Sequence, residues 1–393
     1  MRHICVKQVV DRLKFIIVCI FLAYVLWFQY AFQAINGMLS ILALVMVFLE
    51  VLSIKKLKYY EPLLFICFFI FIVILGLPFA PYRELAIEKL LDNIKLLIPM
   101  VCIFSCIDYS YFRFKNLMTV ICVIIFALSV SLLTKGTASY TGALIIGDLN
   151  SNVYSAFILL GVMATLFVLC STNNRFFKIL LTGILITECI AQVFAASRRG
   201  LIVVFFMLLT YVHSILSIKY RRKFEYKILT VALVVVFLLI LMSQSNELSS
   251  LVVVQRLTGG TTHGDLKRAE YQAVAWKQFL ESPFLGNGLA SVEGQINVYS
   301  HSLYYELLAC TGIFGLSILI TALIRKMLYF WRKSYVAIKL EKQMESRTLA
   351  WSVLGLLLTG IAVVFIYDVD FYIFLAIFAS YQGIVARTGY IFE

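Results

Sequence analysis

Two adjacent arginines, one arginine at the head of a helical stretch and one histidine at the start of an apolar run are the residues of this chain whose types and positions suggest chemistry. Ser197-Arg198-Arg199-Gly200 forms a tight turn between two apolar runs with almost no linker, so at least one guanidinium should lie at the mouth of a helix bundle. Guanidinium forks match phosphate oxygens geometrically and stay charged at any relevant pH; lipid phosphate at a membrane interface would satisfy the same pair. Arg256, Lys267 and Arg268 fall in one long polar segment. Arg268 opens a helical stretch from which it could swing over the bundle mouth, whereas Arg256 and Lys267 read equally well as solvated loop charges. Tyr299-Ser300-His301-Ser302-Leu303-Tyr304-Tyr305-Glu306 ends that segment and places His301 in the first turn of the next apolar helix. The positive helix end attracts anions and disfavours imidazolium, which leaves a neutral ring available as a base near pH 7. A histidine there also serves as an ordinary cap or interfacial residue. Glu306, five residues on, would tune or orient the ring from a different helical face, and Tyr305 is the other supporting candidate.

Two carboxylate features compete with these. Glu188 lies inside an apolar run, where an ionisable group is a functional suspect by default or else a protonated, packed side chain. Asp368-Val369-Asp370 resembles a metal-binding D-x-D, yet it falls in a short outward loop and reads as a polar turn. Nothing resembles a phosphate-binding loop, a dinucleotide fingerprint or a zinc motif, so neither metal nor cofactor is expected.

The elements that must position these residues are membrane helices. The 393 residues are 62% hydrophobic and 14% charged with a mean hydropathy of +0.95, a surface that water would not tolerate. The apolar runs approach the roughly 20 residues that a helix needs to cross about 30 Å of hydrocarbon. They are apolar on every face, which excludes the alternation of a membrane barrel. The expected fold is all-α and polytopic, with about twelve spans: 13–32, 37–54, 62–79, 90–107, 117–134, 152–170, 178–195, 200–218, 228–244, 302–324, 349–367 and 371–386. The first half of 90–107 is amphipathic and could lie in the interface instead. The first run, although it follows a basic start, is long, aromatic-rich and without a small-residue cleavage site, and reads as a retained helix. With both termini in the cytoplasm, 24 of the 34 lysines and arginines fall inside and 10 outside, the bias that membrane insertion produces. The net charge of +13 therefore reflects insertion and anionic headgroups rather than nucleic acid. The nine cysteines suggest neither a disulfide framework nor a metal spacing.

The chain divides into 1–244 with nine spans, an outward segment 245–301, and 302–393 with three spans and a cytoplasmic tail. Segments as long as 245–301 are usually functional, and this one suffices for a small structured lid. Within it Leu266, Ala269, Ala273, Trp276 and Leu280 share one face of an amphipathic helix, with Asp265 as N-cap, before a turn at Pro283 and Gly286-Asn287-Gly288.

In order, spacing and outward placement, several pieces together resemble the bacterial O-antigen polymerases and ligases of the Wzy and WaaL type. These are the Ser197-Arg198-Arg199-Gly200 turn, Arg268 with Trp276 following, Ser282-Pro283-Phe284-Leu285-Gly286-Asn287-Gly288, His301 to Leu308, and Thr311-Gly312-Ile313-Phe314-Gly315. The resemblance covers roughly residues 150 to 316. It implies an inner-membrane glycosyltransferase without metal or nucleotide, whose donor is a glycan on undecaprenyl pyrophosphate at the periplasmic face. Arg198 or Arg199 with Arg268, and Arg256 nearby, would bind the pyrophosphate, and His301 would position or deprotonate the acceptor hydroxyl. A polymerase, with a chain-length regulator as a further partner, resembles the chain more than a ligase does, and capsule polymerases share the scheme. A flippase or transporter is the reading from another class. It would need ionisable residues along a central pathway, and apart from Glu188 the spans are nearly free of them.

Overall fold

In a computed structural model, residues 2–28, 61–138, 143–147, 151–195, 197–219 and 263–388 are described. The expected spans 37–54 and 228–244 and Arg256 lie outside them. The helices run α1 Arg2–Ala23, α2 Glu61–Gly76, α3 Arg83–Ile107, α4 Tyr111–Lys135, α5 Ser151–Ser171, α6 Arg175–Phe194, α7 Arg198–Lys219, α8 His263–Glu281, α9 Ser291–Ile296, α10 Leu303–Val336, α11 Leu340–Thr359 and α12 Val369–Thr388. The only strands among the described residues are the two-residue pair Thr137–Ala138 and Leu144–Ile145. Six of these helices are long and apolar enough to cross a membrane, and the protein is an all-α, multi-pass membrane protein.

The core forms around α5 and α12. Both are buried along nearly their whole length, and α5 packs against α4, α6, α7 and α11. Helices apolar all round belong in such central positions, while one-sided helices face lipid. Thus α6 buries Leu181, Ile184, Glu188, Ala191 and Gln192 and exposes Phe176, Ile179, Ile186 and Ile190.

Two expected boundaries are corrected. The span expected at 90–107 is the second part of α3, which is continuous from Arg83. The span expected at 349–367 is α11, which starts at Leu340 and ends at Thr359. Charges at its start argued against burial, yet the fold pairs them: Glu345 accepts from Lys342 Nζ at 2.8 Å and from the hydroxyls of Tyr111 at 2.6 Å and Tyr381 at 3.0 Å. This knot ties α4, α11 and α12 together at one end. At the other end the carbonyl of Gly360 accepts from the amide of Leu303 at 2.8 Å, so the chain leaves the helix there.

The feature that shapes the outer half is a break in α10. Gly312 has φ 63° and ψ −165°, a conformation essentially reserved for glycine. The two helical bonds this breaks, from Ile313 to Ala309 and from Phe314 to Cys310, are replaced by four bonds to the 283–288 turn. Ala309 O accepts from Asn287 N at 2.8 Å and Cys310 O from Gly288 N at 3.0 Å, while Ile313 N donates to Pro283 O at 2.9 Å and Phe314 N to Phe284 O at 3.4 Å. The fit is tight on both sides. A Cβ on Gly312 would stand 2.3 Å from Phe284 O, and one on Gly286, itself at φ +72°, 2.4 Å from the backbone of Cys310.

Replacing Gly312 by alanine should therefore both strain the backbone and displace the turn, at a cost of about 3 kcal/mol or more. The expected outcome is a lower thermal midpoint in detergent together with protease cleavage within 282–300, where a control such as Gly183→Ala, whose Cβ meets nothing within 4 Å, leaves both unchanged.

Candidate functional site

His301 does not lie in the first turn of α10. It precedes the N-cap Ser302 and adopts a left-handed conformation, φ 58°, which turns its side chain out of the helix line. Two interactions hold it so. Glu306, fully buried, accepts from the Ser300 amide at 2.8 Å, and Ser300 Oγ donates to the Ser302 carbonyl at 2.9 Å. A serine–x–serine turn closed by a carboxylate six residues on thus presents the imidazole at the head of α10. The ring lies between two tyrosines, near parallel to Tyr271 of α8 with centroids 5.9 Å apart, and 4.5 Å from Tyr299. Glu306 therefore acts on the backbone of this turn.

The neighbours of Tyr299 show which charged groups converge here. Burial raises the phenol above its ordinary pKa, Asp368 raises it further and Arg268 lowers it, so the Arg268 cation and the Asp368 carboxylate act on the same side chain. Arg268 is half-buried on the bundle-facing side of α8, one turn before Tyr271, whereas Lys267 beside it points to solvent. Asp265 lies within the first turn of α8, which begins at His263, and is not its N-cap. Asp368 precedes α12, and burial pushes its carboxyl up to about 6. Asp370 is fully buried. The D-x-D is therefore half-buried at Asp368 and packed inside the protein at Asp370 rather than a solvated turn. The outer wall is completed by Lys89 of α3, 2.9 Å from Glu293 of α9 and 5.6 Å from the centre of the Tyr367 ring.

Sequence reasoning missed Tyr271, Tyr299 and Lys89 and underrated Asp368. Tyr271 carried a signal, since it stands three residues after Arg268 on one helix and so shares its face. Tyr305 instead faces outward against Trp276, with centroids 6.4 Å apart, and takes no part in the His301 group.

The Arg198-Arg199 pair opens α7, and the structure describes its backbone. Directly beneath it is a polar pedestal: Gln192 of α6 donates to Ser155 of α5 at 3.0 Å, and a Cβ on Gly200 would stand 1.6 Å from Ser155 Oγ. Deeper in the same α5–α6 seam, Thr165 donates to the fully buried Glu188 at 3.2 Å, and above it Ser197 donates to Asn152 at 3.3 Å. Glu188 is thus a helix-pairing residue. Gly355 of α11 packs against Val203 of α7, and Gly360 against Leu303. The heads of α7 and α10 consequently lie at the same end of the bundle.

A guanidinium, an imidazole stacked on one phenol and tilted against another, and a half-buried carboxylate at one end of a membrane bundle suit an anionic leaving group and a hydroxyl nucleophile. Residues 183–320 match the family model Wzy_C, described as O-antigen ligase. Over this stretch, about a third of the chain, the protein is similar to that family. The matched segment runs from the middle of α6 through α8 and α9 into α10, and so includes Arg198, Arg199, Arg268 and His301. No curated protein matches. Among solved structures, a chain from "Structural coordination of polymerization and crosslinking by a peptidoglycan synthase complex" is similar, with a TM-score of 0.53 and 14% identity over 85% of this chain and 99% of that one. At that identity the likeness concerns the fold.

The raised pKa of Asp368 has a consequence for stability. The folded state holds that proton more tightly than the unfolded state, whose value is near 3.8, so the contribution of this carboxyl to stability is full below about 4 and is lost as pH rises through about 6. Asp368→Asn should flatten this dependence and raise the thermal midpoint at pH 7.5 relative to wild type, measured by a thermal-shift series from pH 4 to 8. For the pedestal, Gly200→Val should disrupt the Ser155–Gln192 bond and lower glycan transfer at least tenfold while circular dichroism shows the helices retained.

Proposed function

We propose that the protein transfers a glycan from undecaprenyl pyrophosphate to a hydroxyl at the periplasmic face of the inner membrane, with a second lipid-linked repeat unit as the acceptor. The observation that carries this reading is the convergence of Arg268 and His301 around Tyr299 in the segment that matches the O-antigen ligase model. The count of lysine and arginine supports the orientation, since 24 of the 34 fall in the loops and termini expected on the cytoplasmic side.

In this reaction the acceptor oxygen attacks the anomeric carbon, the bond from that carbon to the pyrophosphate oxygen breaks, and the acceptor proton passes to the His301 imidazole. The configuration inverts. Arg268, with Arg198 or Arg199, faces the charge that develops on the departing pyrophosphate; Arg256 is assigned the same role. Fixed cations act best where water is excluded and no reorganisation is needed. The tyrosines on both sides of His301 hold the ring plane, and Asp368 would polarise Tyr299 beside it. Neither metal nor nucleotide takes part in this scheme. Undecaprenyl-linked oligosaccharide and membrane lipid are the expected partners, with a chain-length regulator as a further one. A ligase that delivers the glycan to lipid A-core is the second reading, and the family match is compatible with either.

The test is a reaction of purified protein in lipid with undecaprenyl-pyrophosphate-linked repeat units as the only substrate. A ladder of multimers is expected from wild type, with Arg268→Ala lowering the rate 10²- to 10³-fold and His301→Ala 10²- to 10⁴-fold. Transfer only after lipid A-core is added would establish the ligase, and no transfer to either acceptor would overturn both readings.

A further inference from the structure

The loop helix α8 presents three sectors. One faces the bundle, with Arg268, Tyr271, Ala275 and Gln278; Ala275 and Gln278 are buried, and Gln278 donates to the Ser291 carbonyl at 3.1 Å and to Gln295 at 2.6 Å. A second sector carries Lys267, Glu270, Lys277 and Glu281, all exposed. Between them runs the apolar stripe Leu266, Ala269, Ala273, Trp276 and Leu280, which is not what packs against the protein: Leu266, Trp276 and Leu280 are 55%, 45% and 62% exposed.

The stripe does not end with the helix. It continues through Phe284, 64% exposed, to Phe314, whose ring centre lies 6.0 Å away, and to Ile313. These two residues begin the outward flank of α10, which runs on through Ile324 and Leu328. That flank belongs to a membrane-crossing helix and faces lipid. The level is set independently by α2, because Gly76, at the outer end of that apolar helix, would place a Cβ 3.2 Å from Leu285 O. The turn that starts the stripe therefore sits at the edge of the hydrocarbon.

We infer that α8 is an interfacial helix, its Leu266–Leu280 stripe sunk among the acyl chains and headgroups of the outer leaflet and its charged sector in water. A water-exposed position would leave a contiguous apolar surface of this length uncovered, whereas a helix with adjacent apolar and charged sectors and aromatic anchors suits the boundary. Trp276, edge-on to Tyr305 at 6.4 Å, is such an anchor. Lipid contact holds α8 at a fixed height beside the head of α10. On the functional reading above, this keeps Arg268 at the depth of a lipid-borne pyrophosphate.

The experiment reads immersion and not turnover, so it stands or falls apart from that reading. Tryptophan fluorescence of wild type and of the conservative Trp276→Phe variant is recorded in nanodiscs of phosphatidylcholine and of its acyl-dibrominated analogue, and the difference isolates Trp276. The expected component emits in the blue, loses most of its intensity in brominated lipid and responds several-fold less to iodide. Red emission quenched by iodide alone would show α8 standing in water and overturn the inference. A component quenched by neither would show the stripe covered by protein, such as a second copy of the chain, and overturn it equally.

Discussion

The outer half of this protein depends on the exchange of hydrogen bonds at Gly312. A helix broken in an apolar environment leaves backbone groups whose neglect costs several kcal/mol each. Here the carbonyls of Ala309 and Cys310 and the amides of Ile313 and Phe314 all find partners in the 283–288 turn. The turn is thereby a part of the bundle, bonded as firmly as a helix to itself. Everything that precedes it is aligned by this seam. With 283–284 fixed opposite 313–314, α8 runs back along the first part of α10, which sets Trp276 opposite Tyr305 and Tyr271 opposite His301. Arg268, one turn further, arrives beside Tyr299.

A second constraint acts at several places in the bundle, where polar side chains among apolar helices are held by hydrogen-bonding partners. Glu345 is held by Lys342, Tyr111 and Tyr381, Glu188 by Thr165, Gln192 by Ser155 and Glu306 by the Ser300 amide. Such pairings specify register, because a helix shifted by one turn would strand a buried charge. They lie at three levels. The Glu345 knot closes one end, the α5–α6 seam runs through the middle, and the Ser300–Glu306 bond closes the end that carries the site.

Charges of both signs meet at the candidate site. Lys89 pairs with Glu293, and Arg268 and Asp368 act on Tyr299 in opposite senses. The histidine is held by ring contacts with Tyr271 and Tyr299 and by a left-handed backbone. Preorganisation of this kind lets fixed dipoles and charges act without rearrangement at the moment of reaction.

The all-α membrane class and the approximate helices were legible from composition and spacing, because a bilayer demands long apolar segments whose backbone groups are satisfied within the helix. The amphipathic character of 266–280 was equally visible, since helical periodicity is a local property. The side of that helix that packs was not: the apolar stripe faces outward, and Ala275 and Gln278 face the protein. Nor was the start of α11 at Leu340, whose charges are buried only because tyrosines of two other helices meet them, nor the place of His301 ahead of α10, which the Ser300–Glu306 bond decides. Gly312 reads in the sequence as one glycine in an apolar run. Its conformation follows from a turn some 25 residues earlier that supplies the hydrogen bonds. The sequence by itself determined which segments leave water and which stretches are helical, for these depend on side-chain type and short-range period. Only the tertiary structure decided which polar groups are paired, which face of α8 is free and which residues meet at the site, because those depend on partners brought together from distant parts of the chain.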